Sequence, residues 1–217
     1  MVEVLKYLIP VAGERLPRRI TQLLIGLVLF GIGIGLMLQS GMGVPPWDVL
    51  HQGLARRFGL TVGAWSIIVS VAVLLLWLPL RQPYGLGTLL NAIIIGVVID
   101  LTGVIIPAAE VTGVAWSMML GGVVLIGIAS GLYIGANLGP GPRDGLMTGI
   151  ARRGPSIRLT RAVIEITVLT LGWILGGTFG IGTIVFALAI GPLVQYFLPR
   201  WDISPHPSTD AWEHLDR

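Results

Sequence analysis

Apolar residues fill six long stretches of this chain, and polar residues collect in the short segments between them. A helix that spans a membrane needs about 20 largely apolar residues. The six stretches that reach or approach this length are Ile20–Ser40, Gly63–Leu80, Leu86–Ile106, Val114–Ala136, Leu159–Gly177 and Ile181–Leu198. Several neighbours are joined by short links, which favours antiparallel packing between them. The pattern predicts an all-α membrane protein with about six transmembrane helices.

Two shorter segments, Pro45–Phe58 and Gly141–Arg153, lie between these predicted spans. Each begins with proline and aspartate, which suit the first turn of a helix, and each ends in Arg-Arg with a glycine close behind. A helix of about 12 residues is about 18 Å long, which is too short to cross a bilayer comfortably. We therefore expect two short helices that are re-entrant or interfacial.

The two short segments are near copies of each other, about 96 residues apart. The pattern G-x-x-P-x-D-x-L-x-x-G-[LI]-A-R-R occupies residues 43–57 and again residues 139–153. Further glycines align upstream and downstream, which predicts two internal repeats at residues 20–106 and 114–198, joined by a linker at 107–113. Duplicated halves are typical of transporters. Residues 1–19 are expected to be a cytoplasmic N-terminal segment and residues 199–217 a polar cytoplasmic tail.

The relative orientation of the two repeats depends on the short helices. If these helices do not cross the membrane, each repeat has three spans and the halves are inverted; if they cross, each has four and the halves are parallel. Arg15, Arg18 and Arg19 place the N-terminus in the cytoplasm by the positive-inside rule, and both arrangements return the C-terminus there. Counts of basic residues barely separate the two arrangements, and the length of the short helices favours inversion.

Composition sets the class of protein and excludes several kinds of site. The chain is 54% hydrophobic and 12% charged with a mean hydropathy of +0.86, whereas about a quarter of the residues in a soluble domain are charged. It is therefore predicted to lie in the lipid bilayer. The absence of cysteine excludes disulfides, thiolate metal sites and cysteine nucleophiles. The net charge of +3 comes from basic residues that flank apolar runs, so we read them as determinants of topology and expect no nucleic-acid partner.

Nucleotide, metal and hydrolase motifs give no signal for a cofactor. The chain contains no phosphate-binding loop, no H-E-x-x-H and no G-x-S-x-G. His206 and His214 lie in the C-terminal tail without other metal-ligating residues nearby. We expect no cofactor and no metal site.

Asp48 and Asp144 are the strongest candidates for a functional site, because charge at membrane depth is costly and usually serves a purpose. Each carboxylate either caps its own short helix near the interface or contributes to a polar site where the two helix N-termini meet. Arg143 breaks the repeat, since its counterpart is Trp47. It either holds an anionic group of a ligand or pairs with one of the two aspartates.

Two further residues complete the candidate substrate-binding set. His51 lies three residues after Asp48 on the same helical face, where it either relays protons or pairs with that acid. Asn137 ends the fourth predicted span and is a candidate for hydrogen bonding at the site or between helices.

Three polar residues inside the predicted spans are weaker candidates. Glu165 lies four residues after Arg161, so it either forms an i,i+4 ion pair or lines a cavity. Asn91 is a candidate for hydrogen bonding between helices. Asp100 closes the third span, where it can reach the interface and be solvated.

Glycines spaced four residues apart predict close packing of helices. The pairs are Gly31 and Gly35, Gly127 and Gly131, and Gly172 and Gly176. Such faces also allow a homo-oligomer.

The repeated glycine, proline and aspartate pattern resembles the bacterial YczE-type integral membrane proteins, which are relatives of the YitT group of multi-pass membrane proteins. The resemblance covers nearly the whole chain and implies a small bacterial inner-membrane protein. It leaves the chemistry open.

Three functions agree with these observations. The first is a small transporter or permease for a small molecule or ion, with its polar site at the paired short-helix N-termini. The second is a non-transporting accessory or regulatory protein that assembles with or stabilises a partner, because the chain is small, rich in glycine packing faces and poor in polar positions. The third is an intramembrane enzyme, for which only Asp48 and His51 offer a pair. The sequence favours the transporter and does not favour an enzyme.

Overall fold

The structure, a computed structural model, describes residues 16–203 of the chain, and every regular element in that range is a helix. In chain order the helices are α1 (Leu16–Ser40), α2 (Pro46–Phe58), α3 (Val62–Leu80), α4 (Leu86–Ile105), α5 (Thr112–Gly135), α6 (Pro142–Ala151), α7 (Ile157–Ile174) and α8 (Ile181–Trp201). The predicted all-α class is confirmed, and each predicted apolar stretch and short segment is a helix. Most of the N-terminal segment and of the tail, with His206 and His214, lies outside the described residues.

Five of these helices are long and apolar enough to cross a membrane, namely α1, α3, α4, α5 and α8. The sequence predicted six spans, and α7 is the one that differs. It has 18 residues and carries Arg158, Arg161 and Glu165. Large apolar side chains such as Leu75, Val104 and Leu188 are 60%, 85% and 74% exposed on the outside of the bundle, as expected of surfaces that contact lipid.

Helices α1 and α5 form the centre of the bundle and run antiparallel. A Cβ placed on Gly26, early in α1, would lie 2.8 Å from the nitrogen of Tyr133, late in α5, whereas one on Gly33 would meet Ile126. In the most apolar 18-residue segment of each helix, 50% of the residues of α1 and 61% of those of α5 are buried. Because glycine has no side chain, the two backbones approach closely at these positions, and the two helices form the core of the bundle.

Helix α4 runs parallel to α1, and α8 runs parallel to α5. Gly31 and Gly35 of α1 pack against Val98 and Thr102 of α4 in the same order along both helices. Gly127 and Gly131 of α5 pack in the same way against Leu193 and Phe197 of α8. Both glycine pairs therefore face helices of the same chain, as close packing predicts. They are not free to form a contact between copies, and a homo-oligomer stays a prediction.

The start of α1 and the ends of α5 and α8 meet at one end of the bundle, called here the lower face. Arg19 is only 7% exposed and donates hydrogen bonds to the carbonyl oxygens of Ala136 (2.8 Å) and Asn137 (2.6 Å). Gln22 donates to the carbonyl of Trp201 at 2.7 Å. Arg19 was read from the sequence as a determinant of topology only. In the fold it also bonds the carbonyls of the two residues that directly follow α5.

The end of α1, the end of α4 and the start of α5 meet at the opposite end, the upper face. The side-chain amide of Gln39 donates to the carbonyl of Ile106 at 2.5 Å, and the Gln39 carbonyl accepts from the Ala109 nitrogen at 2.9 Å. Helix α2 follows α1 here and leads into α3, whose start packs on the upper half of α4 through Gly63 and Gly96. The chain therefore comes to α2 from the upper face and returns to that face after it, so α2 does not cross the bundle.

Helix α6 occupies the corresponding position at the lower face. It follows the end of α5, and Arg153, just beyond it, donates to the carbonyl of Pro79 near the end of α3 at 2.5 Å. Helix α7 then runs from the lower to the upper face, where Gly172 packs against the backbone of Leu50 in α2. Each short helix thus packs on a long helix from the other half of the chain, α2 on α7 and α6 on α3.

One predicted glycine pair does not pack as a pair. Gly172 lies in the close contact between α7 and α2, but a Cβ on Gly176 would meet nothing within 4 Å. Gly176 has φ of +97° and follows the end of α7. Its role is to end the helix in a left-handed conformation that glycine adopts without strain, so the prediction of a packing face was wrong at this position.

Candidate functional site

Two glycine turns fix where the short helices begin. Gly43, before α2, has φ of +109°, and a Cβ there would lie 2.8 Å from both the nitrogen of Gly180 and the hydroxyl of Thr183 at the start of α8. Gly139, before α6, has φ of +119° and packs in the same way against Gly85 and Thr88 at the start of α4. Only glycine fits both the conformation and the space. The N-terminus of each short helix is therefore held inside the bundle.

These N-termini open onto a cavity of about 320 Å³ between the two halves of the chain. This volume is at the lower end of the range for small-molecule sites, about 300 to 1,000 Å³. Its lining combines charged, hydroxyl, amide and aromatic side chains with apolar ones. The polar and aromatic lining residues include Trp47, Asp48, Ser66, Ser70, Asn91, Ser130, Tyr133, Arg143, Asp144, Arg161, Glu165, Phe186 and Gln195.

Asp48 is fully buried at the start of α2, and only one of its two carboxylate oxygens has polar partners. Oδ1 lies 3.0 Å from Nδ1 of His51 and 3.5 Å from Nη2 of Arg143. Oδ2 has no hydrogen-bond partner in the described part of the chain. Asp48 therefore does not cap its own helix, and it offers a buried acceptor to the cavity. His51 pairs with the local acid, as one reading of the sequence predicted.

Arg143 crosses from α6 toward α2 and contacts two residues there. It pairs with Asp48, and its guanidinium carbon lies 5.3 Å from the centre of the Trp47 ring, which is cation–π distance. Its side chain keeps 22% of its surface exposed. The indole Nε1 of Trp47 is buried without a hydrogen-bond partner among the described residues. The position that breaks the repeat thus joins the two short helices across the cavity.

Asp144 begins α6 and is held by a residue of the central bundle. The hydroxyl of Tyr133 in α5 donates to its Oδ2 at 2.6 Å, within the range of a charge-assisted hydrogen bond. Unlike Asp48, Asp144 is exposed, and it lines the cavity. The two aspartates and Arg143 therefore meet at one cavity, as the transporter hypothesis required.

Glu165 combines the two roles that the sequence left open. It accepts from Arg161 at 2.9 Å in an i,i+4 pair, and both side chains also line the cavity. Thr61 caps the start of α3 and Ser156 caps the start of α7, so the two helices align with an offset of 95 residues. At this offset Ser66 and Ser70 of α3 correspond to Arg161 and Glu165 of α7. The cavity wall is thus hydroxylic on the α3 side and charged on the α7 side.

Three predicted residues lie away from the cavity lining. Asp100 accepts from the Thr61 hydroxyl at 2.5 Å and the Gly63 nitrogen at 2.8 Å, so it holds the start of α3. Asn137 is exposed at the end of α5 with φ of +55°, and its carbonyl accepts from Arg19. His51 lies behind Asp48 and is fully buried. Asn91, in contrast, lines the cavity beside Gly141.

Sequence reasoning missed the four lining residues that carry a hydroxyl group, Tyr133, Ser66, Ser70 and Ser130. Ser66 and Ser70 are four residues apart in an apolar span, so they share one helical face. That spacing was a usable signal. Ser130 gives no such signal, because a serine in a spanning helix commonly bonds its own backbone, as Ser130 does to the carbonyl of Ile126 at 2.7 Å. Tyr133 is linked to the site by its hydrogen bond to Asp144, which only the fold brings near.

The lining carries more acid than base. Three carboxylates, those of Asp48, Asp144 and Glu165, face two guanidinium groups, those of Arg143 and Arg161. Because buried charges in a membrane protein need partners, the cavity suits a polar solute that makes both hydrogen bonds and charge contacts. No group of three or more His, Cys, Asp or Glu side chains placed to hold a metal ion occurs within residues 16–203.

The fold defines a multi-span membrane protein. Its long apolar helices form a bundle, and its two short helices enter from opposite faces and meet at a central polar cavity. The chain belongs to a family of unknown function, DUF6198, whose model matches residues 17–199. This agrees with the resemblance to YczE-type proteins that the repeated motif indicated.

Curated relatives share most of their length with this chain. An uncharacterized protein of Haemophilus influenzae is 43% identical over 190 residues, covering 87% of each chain. The uncharacterized membrane protein YczE of Bacillus subtilis is 38% identical over 81% of this chain and 83% of its own. The uncharacterized protein YyaS of the same organism is 32% identical over 81% of this chain and 90% of its own. No solved structure matches the chain.

Proposed function

We propose that this protein is a small transporter that binds a polar solute in the central cavity, at the N-termini of α2 and α6. The observation that carries the proposal is the meeting of Asp48, from the first half of the chain, with Arg143 and Asp144, from the second, around one cavity of about 320 Å³. Asp48 has a fully buried oxygen without a partner among the described residues. A buried unpaired acceptor is costly in a membrane, and a bound solute would satisfy it.

The proposal includes two inverted repeats. Corresponding helices of the two repeats make corresponding contacts. Helix α1 packs on α4 in the first repeat, and α5 packs on α8 in the second. Likewise, α2 packs on α7 of the other repeat, and α6 packs on α3. The paired helices α1 and α5 run in opposite directions, which supports inversion. In such folds a site at the repeat interface is exposed to one side of the membrane and then to the other as the halves rearrange.

The proposed location is the bacterial inner membrane, with the lower face and both termini in the cytoplasm. Most basic residues outside the cavity lie at or near the lower face. They are Arg18, Arg19, Arg81, Arg152, Arg153, Arg158 and Arg200. The upper face has Arg56 and Arg57. The positive-inside rule therefore favours a cytoplasmic lower face. From the linear sequence alone, counts of basic residues barely separated the inverted arrangement from the parallel one.

Ligand-induced stabilisation of the purified protein tests the site. A solute that binds the folded state raises the melting temperature, so amines, carboxylates, amino acids and sugars are screened in turn. With any solute that stabilises the wild type, Asp48→Asn and Asp144→Asn should lose most of the shift, because they remove charge while preserving shape.

Asp100→Asn is the matched control, since this carboxylate holds the start of α3 and does not line the cavity. It should lower the melting temperature of the free protein and keep the shift caused by the solute. If Asp48→Asn and Asp144→Asn bind as the wild type does, or if no solute class binds, the accessory-protein function becomes the better account.

A further inference from the structure

The two halves differ where their second and third long helices meet. In the first half, α3 packs along α4, and a Cβ on Gly63 would lie 2.0 Å from the carbonyl oxygen of Gly96. In the second half, α7 and α8 do not pack along each other. Gly191, which aligns with Gly96 in the repeat, is exposed, and a Cβ there would meet nothing within 4 Å. A seam therefore separates α7 from α8.

This seam continues into the central cavity. Arg161 and Glu165 of α7 line the cavity, and so do Phe186, Ile190 and Gly191 of α8. Gly191 is ten residues into α8 and Glu165 eight residues into α7, which places them about 15 and 12 Å from the helix starts. Since the hydrocarbon core is about 30 Å thick, the seam opens near the middle of the bilayer, on the lipid side.

The interior that the seam leads to is acidic and partly aromatic. Its three carboxylates exceed its two guanidinium groups by one, and the ring of Tyr133 lies among them. An ammonium group is held by carboxylates and by the faces of aromatic rings. The side of the seam formed by α8 is mostly apolar, with Phe186, Ile190 and Val194, so it suits a hydrocarbon chain.

We propose that the seam between α7 and α8 is a lateral entrance and that the ligand is an amphiphilic amine, whose ammonium group binds among Asp48, Asp144 and Glu165 while its hydrocarbon chain lies in the seam. This deepens the proposed function and rests on the cavity being the site. It differs from that function in naming the charge of the ligand and in having the ligand arrive through the lipid.

The test uses the full chain in phosphatidylcholine nanodiscs and four small probes. Octylamine has both the charge and the chain, ethylamine has the charge alone, and octanoate and octanol have the chain without a positive charge. Octylamine should raise the melting temperature at a concentration at least about tenfold lower than ethylamine, because the longer chain adds buried CH₂ groups. Octanoate and octanol should give no stabilisation. Equal effects of all three eight-carbon probes, or no effect of octylamine, would overturn the proposal.

Gly191→Leu tests the entrance itself. A Cβ at this position would meet nothing within 4 Å, so there is room for the leucine side chain to enter the seam. The substitution should weaken the binding of octylamine at least about tenfold and leave the binding of ethylamine nearly unchanged. Gly121→Leu is the matched control, because Gly121 is also exposed, also has nothing within 4 Å, and lies on α5 outside the cavity lining. Octylamine binding that is equal in both variants and the wild type would overturn the entrance.

Two additional outcomes are informative. The octylamine titration is repeated in nanodiscs that contain phosphatidylethanolamine. If the natural ligand is the amine headgroup of a lipid, this lipid competes with octylamine and reduces the rise in melting temperature; if the ligand is a free amine, the rise is unchanged. If Gly191→Leu instead changes the oligomeric state and leaves octylamine affinity unchanged, the seam is an interface between copies and the proposal is wrong. The proposed transport function would survive that failure, because the reactivity of a cysteine at position 70 from each side of the membrane tests it without any amine.

Discussion

At the scale of single residues, buried and partly buried charged side chains of the described chain have two different roles, since some hold helix ends and others face the cavity. In the sequence, Arg19 resembles Arg143 and Asp100 resembles Asp48. All four are charged residues at the edges of apolar stretches. The difference lies in their partners. Arg19 and Asp100 bond to the backbone at helix ends, whereas Arg143 and Asp48 bond to each other across the cavity.

Arg19 gives a prediction for the structural group. Arg19→Met keeps most of the side-chain volume but leaves the carbonyls of Ala136 and Asn137 without their donor, so the free energy of unfolding should fall by about 2 kcal/mol. Denaturation in mixed micelles measures this quantity. Arg18→Met removes the same charge from an exposed neighbour and should change stability by less than about 0.5 kcal/mol. Equal losses in both variants would mean that charge, and not the buried hydrogen bonds, stabilises this end.

At the scale of helices, the apolar pattern predicted the elements well because spanning length and end chemistry are local properties. Both short helices were found from proline, aspartate and Arg-Arg alone. The pattern was less informative about α7, where Arg161 and Glu165 interrupt the apolar run because they face the cavity. It also could not predict that α2 packs on α7 and α6 on α3, since those contacts join residues more than 60 positions apart.

The docking of α6 on α3 gives a prediction at this scale. A Cβ on Gly145 would lie 2.0 Å from the Trp77 ring, whose Nε1 donates to the carbonyl of Pro142 at 3.1 Å. Gly145→Ala should therefore cost about 1 to 3 kcal/mol of unfolding free energy by overpacking. Gly121→Ala, at an open helical position, should be neutral or stabilise by up to about 1 kcal/mol. If Gly145→Ala is as stable as the wild type, the α3–α6 contact is looser than described.

At the scale of the whole molecule, the sequence predicted the central site only in part. It located Asp48, Arg143 and Asp144 because they interrupt an apolar background within the repeated motif. It placed His51 and Asn137 beside them, and neither lines the cavity. Tyr133 and Ser130 become part of the site only through the fold, and so does the seam that distinguishes the two halves. Ser66 and Ser70 share one helical face, which their spacing in the sequence already indicated.

The inverted arrangement predicts that the ends of the two short helices lie on opposite sides of the membrane. Because the native chain has no cysteine, Arg57→Cys and Arg152→Cys can be labelled singly with a membrane-impermeant thiol reagent. Both positions are exposed. In oriented membranes Arg152→Cys should react from the cytoplasmic side and Arg57→Cys from the other side. Reaction of both from the same side would establish parallel halves and remove the symmetry argument.

If the protein transports its solute, the cavity opens in turn to each side of the membrane, and the reactivity of a single cysteine at position 70 reports this opening. Ser70 lines the cavity near the middle of α3, and Val71 beside it is 49% exposed on the outside of the bundle. Ser70→Cys should react with an impermeant thiol reagent added from either side of sealed vesicles, and Val71→Cys from neither. Reaction of Ser70→Cys from one side only, with full reaction once the protein is unfolded, would contradict transport.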